Sequence, residues 1–198
     1  IIMHPEILSI SLFWFVTAYT PGPNNVVASY SGFNFGITKT IPHILGVTLG
    51  FTSLVIFLSI GLINVFKIFP IIQVVIKYLG TIFLIYLAYK IALSSSSKDT
   101  KKENPVKFIE TFLFQYLNPK GVMVAIIVVS TYVELGHNYI NYAIQVVVLA
   151  FLFSATSITL WTFIGKFLRK FATNEKFIKR FNYVMSFLLL TCIATFYL

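Results

Sequence analysis

Thr20-Pro21-Gly22-Pro23-Asn24-Asn25, TPGPNN, interrupts an apolar run that extends from about Ile7 to Phe33. Two prolines, a glycine and two asparagines do not belong in an uninterrupted helix. Each proline removes a backbone donor and clashes with the preceding turn, and it pushes the residue before it out of the helical region. Carbonyls near Tyr19 and Thr20 are therefore expected to lose their partners. In hydrocarbon each unsatisfied group costs several kcal/mol, so irregular backbone survives there only against protein or water. Asn24 and Asn25 carry amides that can satisfy what the prolines free, and Asn is a good N-cap for a restarted helix. The break predicts a helix end inside a membrane.

The rest of the chain makes the membrane setting necessary. Of its 198 residues, 58% are apolar and 11% charged, more apolar surface than a soluble domain can bury. The apolar runs approach the ~20 residues needed to span a bilayer and do not alternate, which selects helices over a barrel. The net charge of +9 comes from lysines and arginines gathered in short loops. That is the pattern of membrane orientation and not of nucleic-acid binding. The one cysteine, Cys192, excludes a disulfide framework. The first residues carry no basic n-region, so no cleaved signal peptide is expected there.

Six spans are expected, at about 7–33, 41–63, 71–93, 108–133, 139–165 and 181–198, with Asn34–Thr40, Asn64–Pro70 and Lys166–Arg180 as connections. The connections after spans one, three and five hold Lys39; Lys98, Lys101, Lys102 and Lys107; and Lys166, Arg169, Lys170, Lys176, Lys179 and Arg180. The other two hold Lys67 alone. The positive-inside rule then places both termini outside the cytoplasm. Trp14 and Trp161 are read as interfacial anchors, and Glu134 and His137 as solvated residues of an outer turn.

A polar, lysine-rich stretch at 94–106 divides the chain into 1–93 and 107–198, with three spans in each part. An odd number per half makes the halves face opposite ways. Each half opens on a proline-broken span, TPGPNN in the first and Leu117-Asn118-Pro119-Lys120-Gly121 in the second. Each closes on a similar run, Tyr78–Ile91 and Tyr183–Leu198. The expected architecture is an all-α polytopic membrane protein, six transmembrane helices in two inverted three-helix repeats with helices 1 and 4 broken. Matching breaks in inverted halves point to a transporter's binding site. Asn24 follows Glu6 by 18 residues and Asn118 follows Lys107 by 11. These are roughly 27 and 17 Å of helix, so both breaks lie deep in the bilayer.

Helix N-termini near the midplane present free N–H groups and partial positive charge. They suit the carboxylate of a small zwitterion, whose amine would meet carbonyls and side-chain amides. The competing reading is a pair of kinks that only shape packing. Lys120 is a cation deep in span four, either a carboxylate ligand or a partner for Glu110, with a water-filled cytoplasmic vestibule or snorkelling as the alternative. Glu110 and His43 are the proton-coupling candidates, with a cap or a structural role as the alternative for each. Gln115 is either a ligand or an interhelical hydrogen-bonding group. Gly46 and Gly50, in GVTLG, are expected to pack helices closely. No H-E-x-x-H, G-x-S-x-G or C-x-x-C occurs, so neither an enzyme, a metal nor a cofactor is expected.

These residues resemble the LysE/RhtB family of bacterial amino-acid exporters. The likeness begins at TPGPNN and runs through Ser31–Phe51. It resumes at Tyr78–Ala92 and at Phe112–Ile126, whose F-x-x-Q-Y-x-N-P-K resembles a second family signature. Val16–Asn25 and Ser130–Asn138 are most similar to its cysteine/O-acetylserine exporter branch. The resemblance implies a proton-driven exporter of small amino acids or their derivatives in the cytoplasmic membrane, with protons and a second copy in a homodimer as partners; the paired breaks predict alternating access. It implies substrate binding by Pro21, Gly22, Pro23, Asn24, Asn25, Gln115, Asn118, Pro119 and Lys120. Some members carry an aspartate in the second span. Here that span has none, which argues against a cationic substrate and leaves an uncoupled channel or facilitator as the alternative.

Overall fold

The computed structural model describes residues 3–94, 105–133, 136–172, 174–194 and 196–197. Most of the polar 94–106 stretch and Glu134 lie outside them. The described residues form helices α1 (Ile7–Tyr19), α2 (Pro23–Phe57), α3 (Ile63–Ile68), α4 (Ile71–Ala92), α5 (Phe108–Leu117), α6 (Pro119–Tyr132), α7 (Tyr139–Arg169) and α8 (Glu175–Ala194). Leu58–Leu62 is a π-helical turn between α2 and α3. Four helical stretches are long and apolar enough to cross a membrane, and α5 with α6, bent by 61° at Asn118, makes a fifth. The protein is a multi-pass helical membrane protein.

α2 is not one rod. Gly36 sits at φ 77°, ψ 177°, a region essentially closed to residues with a Cβ. The chain folds back there. Ser31 Oγ lies 2.9 Å from Thr40 Oγ1, and His43 Nε2 lies 3.3 Å from the Asn24 carbonyl oxygen. In a straight helix those pairs would be roughly 13 and 28 Å apart along the axis. The expected turn over Asn34–Thr40 is thus compressed to a single glycine, with helix on either side (limbs 23–35 and 37–57). Two other expected connections are also largely helical. α3 occupies most of Asn64–Pro70, and the Lys166–Arg180 segment contains the end of α7 and the start of α8. Lysines and arginines are good helix formers, so a basic segment extends a helix as readily as it ends one.

Two apolar clusters flank the level of the breaks. One joins α1, the far end of α2, α6 and the start of α7 through Ile10, Trp14, Leu54, Val55, Val122, Ala125, Val146 and Ala150. The other joins limb 23–35, α4, α5 and α8 through Val26, Val27, Tyr30, Leu84, Leu87, Phe114 and Leu189. Backbones meet where glycine permits. A Cβ on Gly165 would lie 2.0 Å from the Ser29 carbonyl oxygen, and one on Gly32 2.1 Å from that of Thr162. These crossings seat limb 23–35 on α7. Gly46 and Gly50 face α5 in the same manner, at Thr111, Phe108 and Phe112. Such small-residue crossings are the usual means of close helix packing in lipid.

Candidate functional site

The first break is a three-residue opening, Thr20 to Gly22, between α1 and α2. Gly22, extended, is the N-cap of α2, and Pro23 stands at its first position. The expected asparagine cap is not formed. Proline fits the first helical position because its missing donor would be idle there, and this places the cap at Gly22, two residues before Asn24. The carbonyls opened by the prolines are instead satisfied from three directions. Asn25 Nδ2 donates to Ala18 O and Thr20 O, each at 2.9 Å. Ser157 Oγ of α7 donates to Ala18 O at 2.7 Å. Lys120 Nζ donates to Thr20 Oγ1 at 3.1 Å and Thr20 O at 3.3 Å, and lies 3.5 Å from Pro21 O.

The second break is a single residue. Asn118 ends α5 and starts α6 with an extended backbone and no side-chain cap, and Pro119 again takes the first helical position. Pro119 and the Leu117 carbonyl press on α4, where a Cβ on Gly80 would sit 3.0 Å from the proline ring and 2.1 Å from Leu117 O. Asn118 is 3% exposed and its Oδ1 has no hydrogen-bond partner. A buried acceptor left idle costs about 1–3 kcal/mol, so this one calls for an explanation.

The two breaks are tied together. Asn24 Nδ2 donates to Gln115 Oε1 at 2.8 Å while Gln115 Nε2 donates back to Asn24 Oδ1 at 3.2 Å and to Thr111 O at 2.7 Å. Lys120 forms the second tie, and Gly22 makes room for it: a Cβ there would lie 3.1 Å from Nζ. His43 reaches the same junction from limb 37–57. Because a carbonyl only accepts, its Nε2 carries the hydrogen toward Asn24 O, and its Nδ1 is buried without a partner. Glu110 lies elsewhere. Its Oε2 accepts the Lys107 backbone N–H at 2.9 Å at the start of α5, where it satisfies a helix-end donor rather than pairing with Lys120.

Between the breaks lies a cavity of about 80 Å³. Gly22, Pro23, Asn24, Asn25, Gln115, Asn118 and Lys120 all line it; Pro21 and Pro119 do not. Pro21 borders a second crevice with Trp161, Met185 and Cys192. The N-termini of α2 and α6 therefore converge on one cavity with a lysine beside them, and no carboxylate is among its lining residues. This electrostatic setting favours an anion. The opposite wall was not legible as a site in the sequence. It consists of Trp14, Val47, Phe51, Val124 and Ile158, with Ala150, Ser154 and Ser157 of α7. Trp14 is not an interfacial anchor; it is 1% exposed and its ring meets Phe51 edge to face at 5.5 Å. An apolar residue facing a cavity reads the same as one facing lipid, so only a burial contrast could have marked these positions.

The family model for LysE type translocators matches residues 15–197. The chain is 29% identical over 194 residues to a cysteine/O-acetylserine efflux protein of Salmonella typhimurium, covering 96% of this chain and 97% of that one. It is 28% identical over the same length to the protein of that name from Escherichia coli K12, with the same coverage. No solved structure matches.

Proposed function

The chain belongs to the LysE family of translocators and is a transport protein, not an enzyme, and from that premise we propose that it exports small neutral amino acids or their O-acylated derivatives. The observation that carries the reading is the cavity where two helix N-termini and Lys120 converge without a lining carboxylate. The substrate carboxylate displaces Thr20 and Pro21 as acceptors for Lys120 Nζ, because a charge-assisted bond is stronger than one to a neutral carbonyl. The ammonium is met by Asn118 Oδ1 and by break carbonyls. The relatives' names bring cysteine and O-acetylserine as first substrates to try.

In this reading the α1–α2 break and the α5–α6 break belong to equivalent spans of two inverted halves, 1–93 and 107–198. With limbs 23–35 and 37–57 counted in separate spans, the chain crosses a bacterial cytoplasmic membrane six times, with both termini outside. Exchanging Lys120 between carbonyls and substrate loosens the tie between the halves, as alternating access requires. Proton antiport would pass through His43, whose Nδ1 is idle; Glu110, engaged in its cap, is the second candidate. A homodimer is the proposed assembly.

Proteoliposomes loaded with labelled O-acetylserine or cysteine test this. Export should build up against a gradient when a proton gradient is imposed, and Lys120→Met should lower it about 100-fold. Equal flux with and without the gradient would favour the uncoupled facilitator, a reading supported by the lack of a carboxylate in the cavity wall. No flux of any amino acid would sink the proposal.

A further inference from the structure

The cavity has two chemically different ends. Amino acids share a zwitterionic head and differ in the side chain. If the head sits at the breaks, as proposed above and on which this inference rests, the side chain points to the remaining wall. There Trp14 and Phe51 form a fixed surface: Trp14 is fully buried, locked edge to face on Phe51, and packed into the apolar cluster with Ala150. A close-packed surface of this kind yields little to added volume.

The facing helix has an informative profile. Val146, Ala150, Ser154 and Ile158 follow one another at four-residue intervals, on one side of α7. The two outer residues are large and the two inner ones small; Ala150, Ser154 and Ile158 line the cavity and Val146 does not. Elsewhere on α7 a small residue has a packing cause, since Gly165 sits against the Ser29 backbone. Ala150 and Ser154 border open space instead. Trp14 Nε1 and Asn118 Oδ1, on two other residues lining the cavity, are buried polar atoms with no partner in the protein, as a site that accommodates a polar solute would have.

We infer that Ala150 and Ser154 are specificity-determining residues: with Trp14 and Phe51 opposite, they set the upper size limit on the exported amino acid's side chain. Leucine at position 154 fills the volume a longer side chain needs and leaves that of a methyl group. Removing the Phe51 ring does the reverse.

The test uses full-length protein in proteoliposomes loaded with equal concentrations of alanine, O-acetylserine and norleucine, which matches the length of the acetylated chain. Ser154→Leu should lower O-acetylserine export about tenfold relative to alanine, the discrimination that one or two methylene-sized groups give in an apolar pocket. Phe51→Ala should raise norleucine export relative to alanine by about the same factor. The ratio within one variant is the readout, because a folding defect reduces all three fluxes alike. If Ser154→Leu fails to insert, Phe51→Ala decides alone. Unchanged ratios would overturn the inference while leaving the proposed function standing. Absence of all three fluxes in the unmodified protein would overturn the proposed function and this inference with it.

Discussion

The two breaks look alike in sequence, each with a proline and an asparagine in an apolar run, yet they are finished differently. Around TPGPNN every opened carbonyl described above has a donor, and Ala18 O and Thr20 O each have two. Around Asn118 the bend is carried by a single residue whose Oδ1 has no partner, and the neighbouring Lys120 lends its charge to the other break. The first break is a braced frame. The second holds the groups free to meet a solute. A backbone opened by two prolines has no stable existence in lipid unless it is over-satisfied, whereas one extended residue leaves little to repair.

That contrast can be broken most severely at the frame. Asn25→Ala and Ser157→Ala each leave Ala18 O one donor, but together they leave it none. The double variant should lose about 4 kcal/mol of stability, about 1 kcal/mol more than the two singles combined. Thermal unfolding in detergent checks this, and strict additivity would mean that the two donors do not serve one acceptor. Next is Lys120→Met, expected to insert normally and lose about 100-fold in transport, the scale of a lost charge-assisted contact. Normal transport would show that the lysine only braces the break.

Asn118→Ala should separate the breaks by kind. It removes an acceptor with no partner in the protein, so stability should not fall by more than about 0.5 kcal/mol while the apparent KM for substrate rises about tenfold. A large fall in melting temperature with an unchanged KM would make the second break as structural as the first. The smallest effect is expected at Gly22→Ala. The new Cβ would lie 3.1 Å from Lys120 Nζ, and the flexible end of a lysine can yield, so transport should fall only several-fold. Combined with Lys120→Met, it should add nothing further.

Much of this was legible because proline acts through its own chain. Pro21, Pro23 and Pro119 remove donors in any surroundings, so the breaks and the need for amides beside them follow from composition and order. The seven polar or small residues expected at the site and found lining the cavity were recognisable as misfits in apolar runs. Pro21 and Pro119 face elsewhere because a break has two sides, and the sequence does not say which side is hollow. The Asn34–Thr40 turn was overdrawn for a related reason: a single glycine at positive φ reverses a helix without any polar loop to announce it.

By itself the sequence determined a helical membrane protein with two interrupted helices, a deep lysine and polar groups beside each break, since these follow from the local cost of unpaired backbone in hydrocarbon. Only the tertiary structure decided which donor meets which carbonyl, that Asn24 and Gln115 clasp each other, and that Trp14, Phe51, Ala150 and Ser154 close the cavity. Those are choices among partners that lie far apart in the chain, and the order of residues along one helix does not say which neighbouring helix will supply them, so only packing decides.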